Sequence, residues 1–313
     1  MPVIRRITLN SNHHYGRRLP PMAGLAIMAF PRIIGHAVLM AFRRRSNMAG
    51  RKPAWYQAAT DIRFVGHEGD DKTDLLFELP LFGEAAEDMY KQKEIWPTKP
   101  DANDTGLEVF GDAIHDVASG NRDSDRFDRA LLQNIVKLQA LFKSAFQEIE
   151  IRSERRQEHA ISRIDPSVIR TAESFSRTTP NPRRIRLYGT LDMIQASTQG
   201  FHLKLLSDEE APGVLVAGDI GDSLDLFNQE VTVYGKAVYR PSGRLLRIDA
   251  DEIVPATDKD RFFAKIPHGI PPSGDARRAT REQPAKRGIA AIIGKWPGEE
   301  TDEEVEAALR RLG

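Results

Sequence analysis

The sequence predicts an α+β protein: an N-terminal α+β domain, then a small five-stranded OB-like β-barrel, then a short C-terminal docking helix. Three observations predict it. Between residues 53 and 180 the hydrophobic spacing alternates between a strand period and a helix period. From Arg183 to Pro255 it becomes five strands with a single helix between the third and fourth, the element order of a Greek-key OB barrel. Near the end, Thr301 and Glu304 form the Thr-x-x-Glu capping pattern of a helix start.

The 313 residues leave room for two domains plus tails, and 40% hydrophobic with 29% charged residues is the composition of a soluble globular chain. No cysteine is present, which removes disulfides, thiolate metal sites and a cysteine nucleophile, and suits a cytoplasmic protein. The net charge of zero hides an uneven distribution. Residues 1–52 carry ten Lys/Arg and no acid, whereas residues 53–150 carry ten Lys/Arg against twenty Asp/Glu. Residues 1–52 therefore read as a basic, disordered arm. Within them, Met22 to Phe42 is largely apolar, but Pro31, Arg32, Gly35 and His36 interrupt its middle. An Arg at a bilayer centre costs roughly 2.5–3.5 kcal/mol, so no membrane role is expected. Met40 or Met48 as the initiator would make the arm shorter still.

In order along the α+β domain (53–180), Asp61–Gly66 and Asp74–Leu79 read as a hairpin across Glu68-Gly69-Asp70-Asp71. A short helix is expected near Glu84–Gln92. A second, Thr105–Ala118, presents Leu107, Phe110, Ile114 and Val117 on one stripe. A third, Asp125–Phe146, repeats Phe127, Leu131, Ile135, Leu138 and Phe142 at helical spacing. Gln147–Ser153 alternates as a strand. An Arg-rich connector then carries a helix over Pro166–Ser176, and Pro180-Asn181-Pro182 ends the domain.

The barrel (181–256) takes its strands from Arg183–Ala196, Phe201–Leu206, Val214–Gly218, Glu230–Tyr239 and Leu245–Val254, with the helix at Asp222–Phe227. Gly189 falls inside the first strand, where a barrel strand can bend sharply. Residues 257–288, rich in Pro, Gly and charge, read as a flexible linker. Residues 289–313 form the tail.

Candidate chemistry is sparse. Asp112, His115 and Asp116 share a helix face at i, i+3 and i+4, which we read as a solvated face rather than a metal site. Asp123, Asp125 and Asp128 fit the capping and charge-matching of the helix they precede. Gly218 and Gly221 lack the Lys-Ser/Thr of a phosphate loop and read as turn glycines. His13-His14 has nothing to complete a metal site. No nucleophile, cofactor loop or metal cluster emerges, so neither an enzyme nor a cofactor is expected. An OB barrel raises nucleic-acid binding, for which Arg183, Arg184, Arg186, Tyr188, His202 and Lys204 are the candidates. Residues 183–260 nevertheless hold nine Lys/Arg against thirteen Asp/Glu, which weakens the counterion-release contribution.

The tail is the most informative stretch. Apolar Ile289, Ile292 and Ile293 precede Lys295-Trp296-Pro297-Gly298. Acidic Glu299, Glu300, Asp302 and Glu303 open a helix that puts Val305, Ala308, Leu309 and Leu312 on one face and ends in Arg310-Arg311. Such a helix is too short to be stable alone in water and needs a surface to dock on. Residues 292–304 resemble the C-terminal tail of bacterial antitoxins paired with PIN-domain ribonuclease toxins. That resemblance implies a non-enzymatic inhibitory partner with Ile289, Ile292, Ile293, Trp296, Val305, Leu309 and Leu312 as apolar anchors. It also implies a cation, Lys295, Arg310 or Arg311, set into the carboxylate cluster of the nuclease. The chain is larger than simple antitoxins and offers no recognisable N-terminal DNA-binding element. The expected function is thus an antitoxin or inhibitory partner, with an OB-fold nucleic-acid-binding protein as the alternative.

Overall fold

Residues 3–10 form the middle of a sheet. β1 (Val3–Asn10) is followed by the long helix α1 (Pro21–Arg43) and the short α2 (Ala54–Ala59). The hairpin β2 (Arg63–Glu68) and β3 (Thr73–Leu79) leads to the single turns α3 (Phe82–Ala85) and α4 (Glu87–Tyr90). Then come α5 (Gly106–Ala118), α6 (Arg129–Lys137), α7 (Gln139–Phe142), β4 (Glu148–Arg152), β5 (Ile161–Ile164) and α8 (Pro166–Thr178). These elements belong to a computed structural model that describes residues 2–272 except 14, 16, 17, 48–51, 70, 71, 92–98, 144 and 158.

The sheet has the order β2-β3-β1-β4-β5, and every neighbouring pair is antiparallel. Its first four strands follow the split β-α-β, ferredoxin-like order, with β5 added at the β4 edge. β1 pairs with β3 from Val3↔Leu79 to Leu9↔Thr73, and with β4 from Ile7↔Ile151 to Asn10↔Glu148. One face buries Ile7, Leu9, Leu75, Phe77, Ile149 and Ile151 against the helices. The other face is polar: Thr8 donates to Asp74 (2.5 Å), and Asn10 donates to Glu148 (3.0 Å) and Glu150 (3.1 Å).

Residues 1–52 are therefore not a disordered arm where the structure describes them. The expectation failed because the strand carries Arg5-Arg6 and the helix carries Pro31, Arg32, Gly35 and His36, each a conventional sign of a break. The fold accommodates each one. Arg5 donates to the buried Glu108 (3.0 Å), and Arg6 pairs with Glu68 and Asp74 (3.2 Å each). Arg32 stays exposed, and Gly35 lets the Tyr56 hydroxyl approach to 2.8 Å of where a Cβ would lie. α1 is long and apolar enough to cross a membrane, but 56% of its apolar window is buried within the protein, with Phe30, Ile34 and Val38 in the core. A chain begun at Met40 or Met48 would lack the central strand and most of this helix.

Helix starts follow the capping chemistry of the sequence. Thr105 accepts from the Leu107 N–H (3.2 Å) while Glu108 accepts from the Thr105 N–H (2.8 Å), a capping box opening α5. Asp128 caps α6 and Asp165 caps α8, the latter with Pro166 in the first turn. The single helix expected over Asp125–Phe146 starts only at Arg129 and is interrupted at Leu138 between α6 and α7. The Arg-rich connector after β4 contains β5, a strand the sequence reading did not place.

The barrel comprises β6 (Arg183–Gln195), β7 (Gly200–Lys204), β8 (Glu210–Leu215), β9 (Glu230–Tyr239) and β10 (Leu245–Pro255). It closes in the order β10-β8-β7-β6-β9, with β8 and β10 parallel and β9 pairing with β6. A 3-10 turn, Ile220–Leu226, replaces the expected helix between the third and fourth strands. The architecture is a closed OB-like barrel. Gly189 permits a close approach: a Cβ there would lie 2.6 Å from the Lys204 carbonyl oxygen. A second 3-10 turn, Asp258–Phe263, occupies the start of the expected linker.

Candidate functional site

The tail anchors Ile289, Ile292, Ile293, Lys295, Trp296, Val305, Leu309, Arg310, Arg311 and Leu312 lie outside the described residues. The barrel candidates lie within them and do not form one site. Arg186 is spent on the turn after the barrel: it pairs with Asp260 and lies over the rings of Tyr234 (5.2 Å) and Phe263 (4.6 Å). Tyr188, on the same strand, is 1% exposed and offers no stacking surface. His202 and Lys204 lie on β7, facing Glu210 (3.6 Å) and Asp208 (3.3 Å). Burial, above all, lowers the His202 imidazole below its ordinary value; Arg44 pushes the same way and Glu210 opposes it. Arg183 and Arg184 are exposed on the β6–β9 wall, where Arg184 is opposite Lys236. The four exposed or half-exposed candidates, Arg183, Arg184, His202 and Lys204, are thus split between two walls, and Phe201 is core.

The carboxylates read as solvated or capping groups have another setting. Asp112 is buried on α5 and accepts a fork from Arg156 (2.9 and 3.0 Å) and a contact from His159 (2.8 Å), whose ring stacks on His115 at 4.4 Å. Burial would raise the Asp112 carboxyl, but the Arg156 and His159 hydrogen bonds outweigh it and hold the group below its ordinary value. Arg156 also reaches Asp104 (2.8 Å), and these two carboxylates raise its pKa. Asp116 is taken by Ser124 (2.6 Å) and Arg126 (3.0 Å). The three residues Asp112, His115 and Asp116 therefore do not converge, and no group of metal-ligating side chains occurs among the described residues. Gly218 is a turn glycine at φ +82°, and the Gly221 N–H donates to Asp219 (2.9 Å).

Asp123, Asp125 and Asp128 join the α+β layer to the barrel. Ser242 donates to Asp123 (2.5 Å), while Arg44 (3.2 Å) and Arg240 both pair with Asp125. Asp128 caps α6 and also accepts from the Ser46 N–H (3.1 Å), the Ser46 hydroxyl (2.5 Å) and Arg247 (3.3 Å). The barrel residues Val238 and Leu246 belong to the same apolar core as the helices. Sequence reasoning missed this seam; of the basic stretch 1–52 it takes in Arg44, which pairs with Asp125, while Arg240 and Arg247 come from the barrel.

Beside the seam lies a cavity of about 280 Å³. Its apolar wall is Ala37, Met40 and Ala41 of α1 with Val109 of α5. Its polar wall includes Arg44, Arg126, Arg156, Asp104, Asp112 and Asp125. Arg44 closes α1 in the left-handed region (φ +51°), a conformation unusual outside glycine. Its carbonyl accepts from Arg247 (2.6 Å) and its side chain pairs with Asp125, which together hold it at the cavity.

No family model, no curated protein and no solved structure matches this chain.

Proposed function

We propose that this chain is a non-catalytic bacterial antitoxin or inhibitory partner that docks its C-terminal tail on a PIN-type ribonuclease. The observation that carries the reading is the order of residues 292–304, an apolar pair and Trp296-Pro297-Gly298 running into an acid-started helix signal. Trp296 with Ile289, Ile292 and Ile293 supplies the apolar anchors, and Val305, Leu309 and Leu312 supply the helix face. Lys295, Arg310 or Arg311 supplies the cation that competes with the metal of the nuclease. An Arg–carboxylate pair is strong and bidentate where water is excluded. The test is ribonuclease inhibition by full-length protein, by a version ending at Gly288, and by Trp296→Ala/Arg310→Ala. Inhibition is expected from the full chain alone. Undiminished inhibition by the shortened chain would overturn the reading.

A second reading, single-stranded nucleic-acid binding by the barrel, draws on the OB strand order and on Arg183 and Arg184 beside Lys236. The acid partners of Arg186, His202 and Lys204 weigh against it. It predicts oligonucleotide binding that weakens steeply with salt and is lost in Arg183→Ala/Arg184→Ala. Binding indifferent to both would dismiss it.

A further inference from the structure

We infer that the cavity between α1, α5 and the seam is a binding site for a small amphiphilic oxyanion, a compact apolar body bearing one phosphate or carboxylate group. Three features of the cavity point to that chemistry. The first is its size: about 280 Å³, close to the lower end of small-molecule sites. The second is its mixed lining. Ala37, Met40 and Val109 give an apolar lining against which a polar ion alone gains nothing, and the guanidinium groups of Arg44, Arg126 and Arg156 line the same cavity.

The third is the distribution of charge. Arg156 is saturated by Asp104 and Asp112 and has little to offer a ligand. Arg44 and Arg240 share the carboxylate of Asp125, so among the described residues these two cations have one carboxylate between them. Lys99, which donates to the Met89 carbonyl, adds a further positive charge to the lining. Arg44 reaches Asp125 only through Nη1, and Arg126 reaches Asp116 only through Nη1. A guanidinium carries five N–H donors in a planar fork, so both retain donors that can turn to an oxyanion. An oxyanion between Arg44 and Arg126, with its apolar body against Met40 and Val109, satisfies both walls at once. Because Arg44 also bonds the barrel through Asp125 and Arg247, occupancy would tighten the joint between the two modules.

The experiment is calorimetric titration of the full chain with phenyl phosphate, inorganic phosphate, benzoate and phenol at fixed ionic strength. Phenyl phosphate or benzoate is expected to bind at least ten-fold more tightly than inorganic phosphate, and phenol not to bind; the stronger of the two oxyanions identifies the headgroup. Arg126→Gln should weaken binding ten-fold or more. Ala41→Met, which fills the apolar side and leaves every charge in place, should abolish it in a protein whose circular dichroism is unchanged. The inference fails if neither aromatic anion binds, if inorganic phosphate binds as well as either, or if Ala41→Met binds like the parent. A chain ending at Gly288 should bind equally, so this result stands or falls separately from the tail.

Discussion

Asp128 joins three parts of the chain through one carboxylate: the start of α6, the residues after α1, and β10 of the barrel. Arg247 is buried beside it, with a side chain only 6% exposed. Arg247 also pairs with Asp249 (2.7 Å), so loss of Asp128 removes a cap and several buried hydrogen bonds but not the last counter-charge. Asp128→Ala should therefore destabilise by about 2 kcal/mol, seen as a lower urea midpoint. Asp128→Asn keeps the cap and should recover about 1 kcal/mol of that loss. His36 makes a second prediction at this scale. Burial, first of all, lowers its imidazole below the ordinary value, with Arg32 and Lys52 adding to the effect and Ser46 and Asp128 opposing it. The folded chain then binds fewer protons than the unfolded one, so stability is full above about pH 6.5 and falls as acid is added. His202 shifts in the same direction. Urea midpoints at pH 7.5 and 5.5 should differ in the parent and converge in His36→Gln/His202→Gln; an unchanged difference would refute the assignment.

At the level of elements, α1 and α5 cross where Gly106 removes a side chain. A Cβ there would lie 2.5 Å from Ile34 Cγ2 and 3.0 Å from Val38 Cγ2. Gly106→Ala should cost about 1–3 kcal/mol through overpacking, and it should cost less in an Ile34→Ala background, which lacks the clashing Cγ2, as read in thermal melts. The same crossing shows what a sequence displays and what it hides. The barrel was legible because its strands alternate and the turn before its last strand carries Pro241 and Gly243. α5 was legible from its apolar stripe. β1 was not, because a central strand needs an apolar set on only one face; Arg5 and Arg6 could be accepted only once Glu108 and Glu68 were known to face them. β5 was missed for a similar reason, being four residues long with Ser162 and Arg163 in its middle. The cavity draws on five stretches between Ala37 and Arg156 and left no local pattern.

For the molecule as a whole, the basic start and the acidic stretch after it are the two sides of one folded layer. Deleting residues 2–10 should leave no cooperative thermal transition in the α+β layer, because β3 and β4 would face an empty strand position; a retained sharp transition would mean the sheet can close without β1. The position of β1 also has a consequence in time. β1 is synthesised before both of its partner strands, and the later of them, β4, ends at Arg152. At synthesis rates of about 5–20 residues per second, roughly seven to thirty seconds separate the two. During that interval the apolar helix α1 has left the exit tunnel without the sheet that will cover it. Long-range pairing of this kind is intrinsically slow and leaves apolar surface open to aggregation. The nascent chain is thus a client for holding chaperones until β4 has emerged.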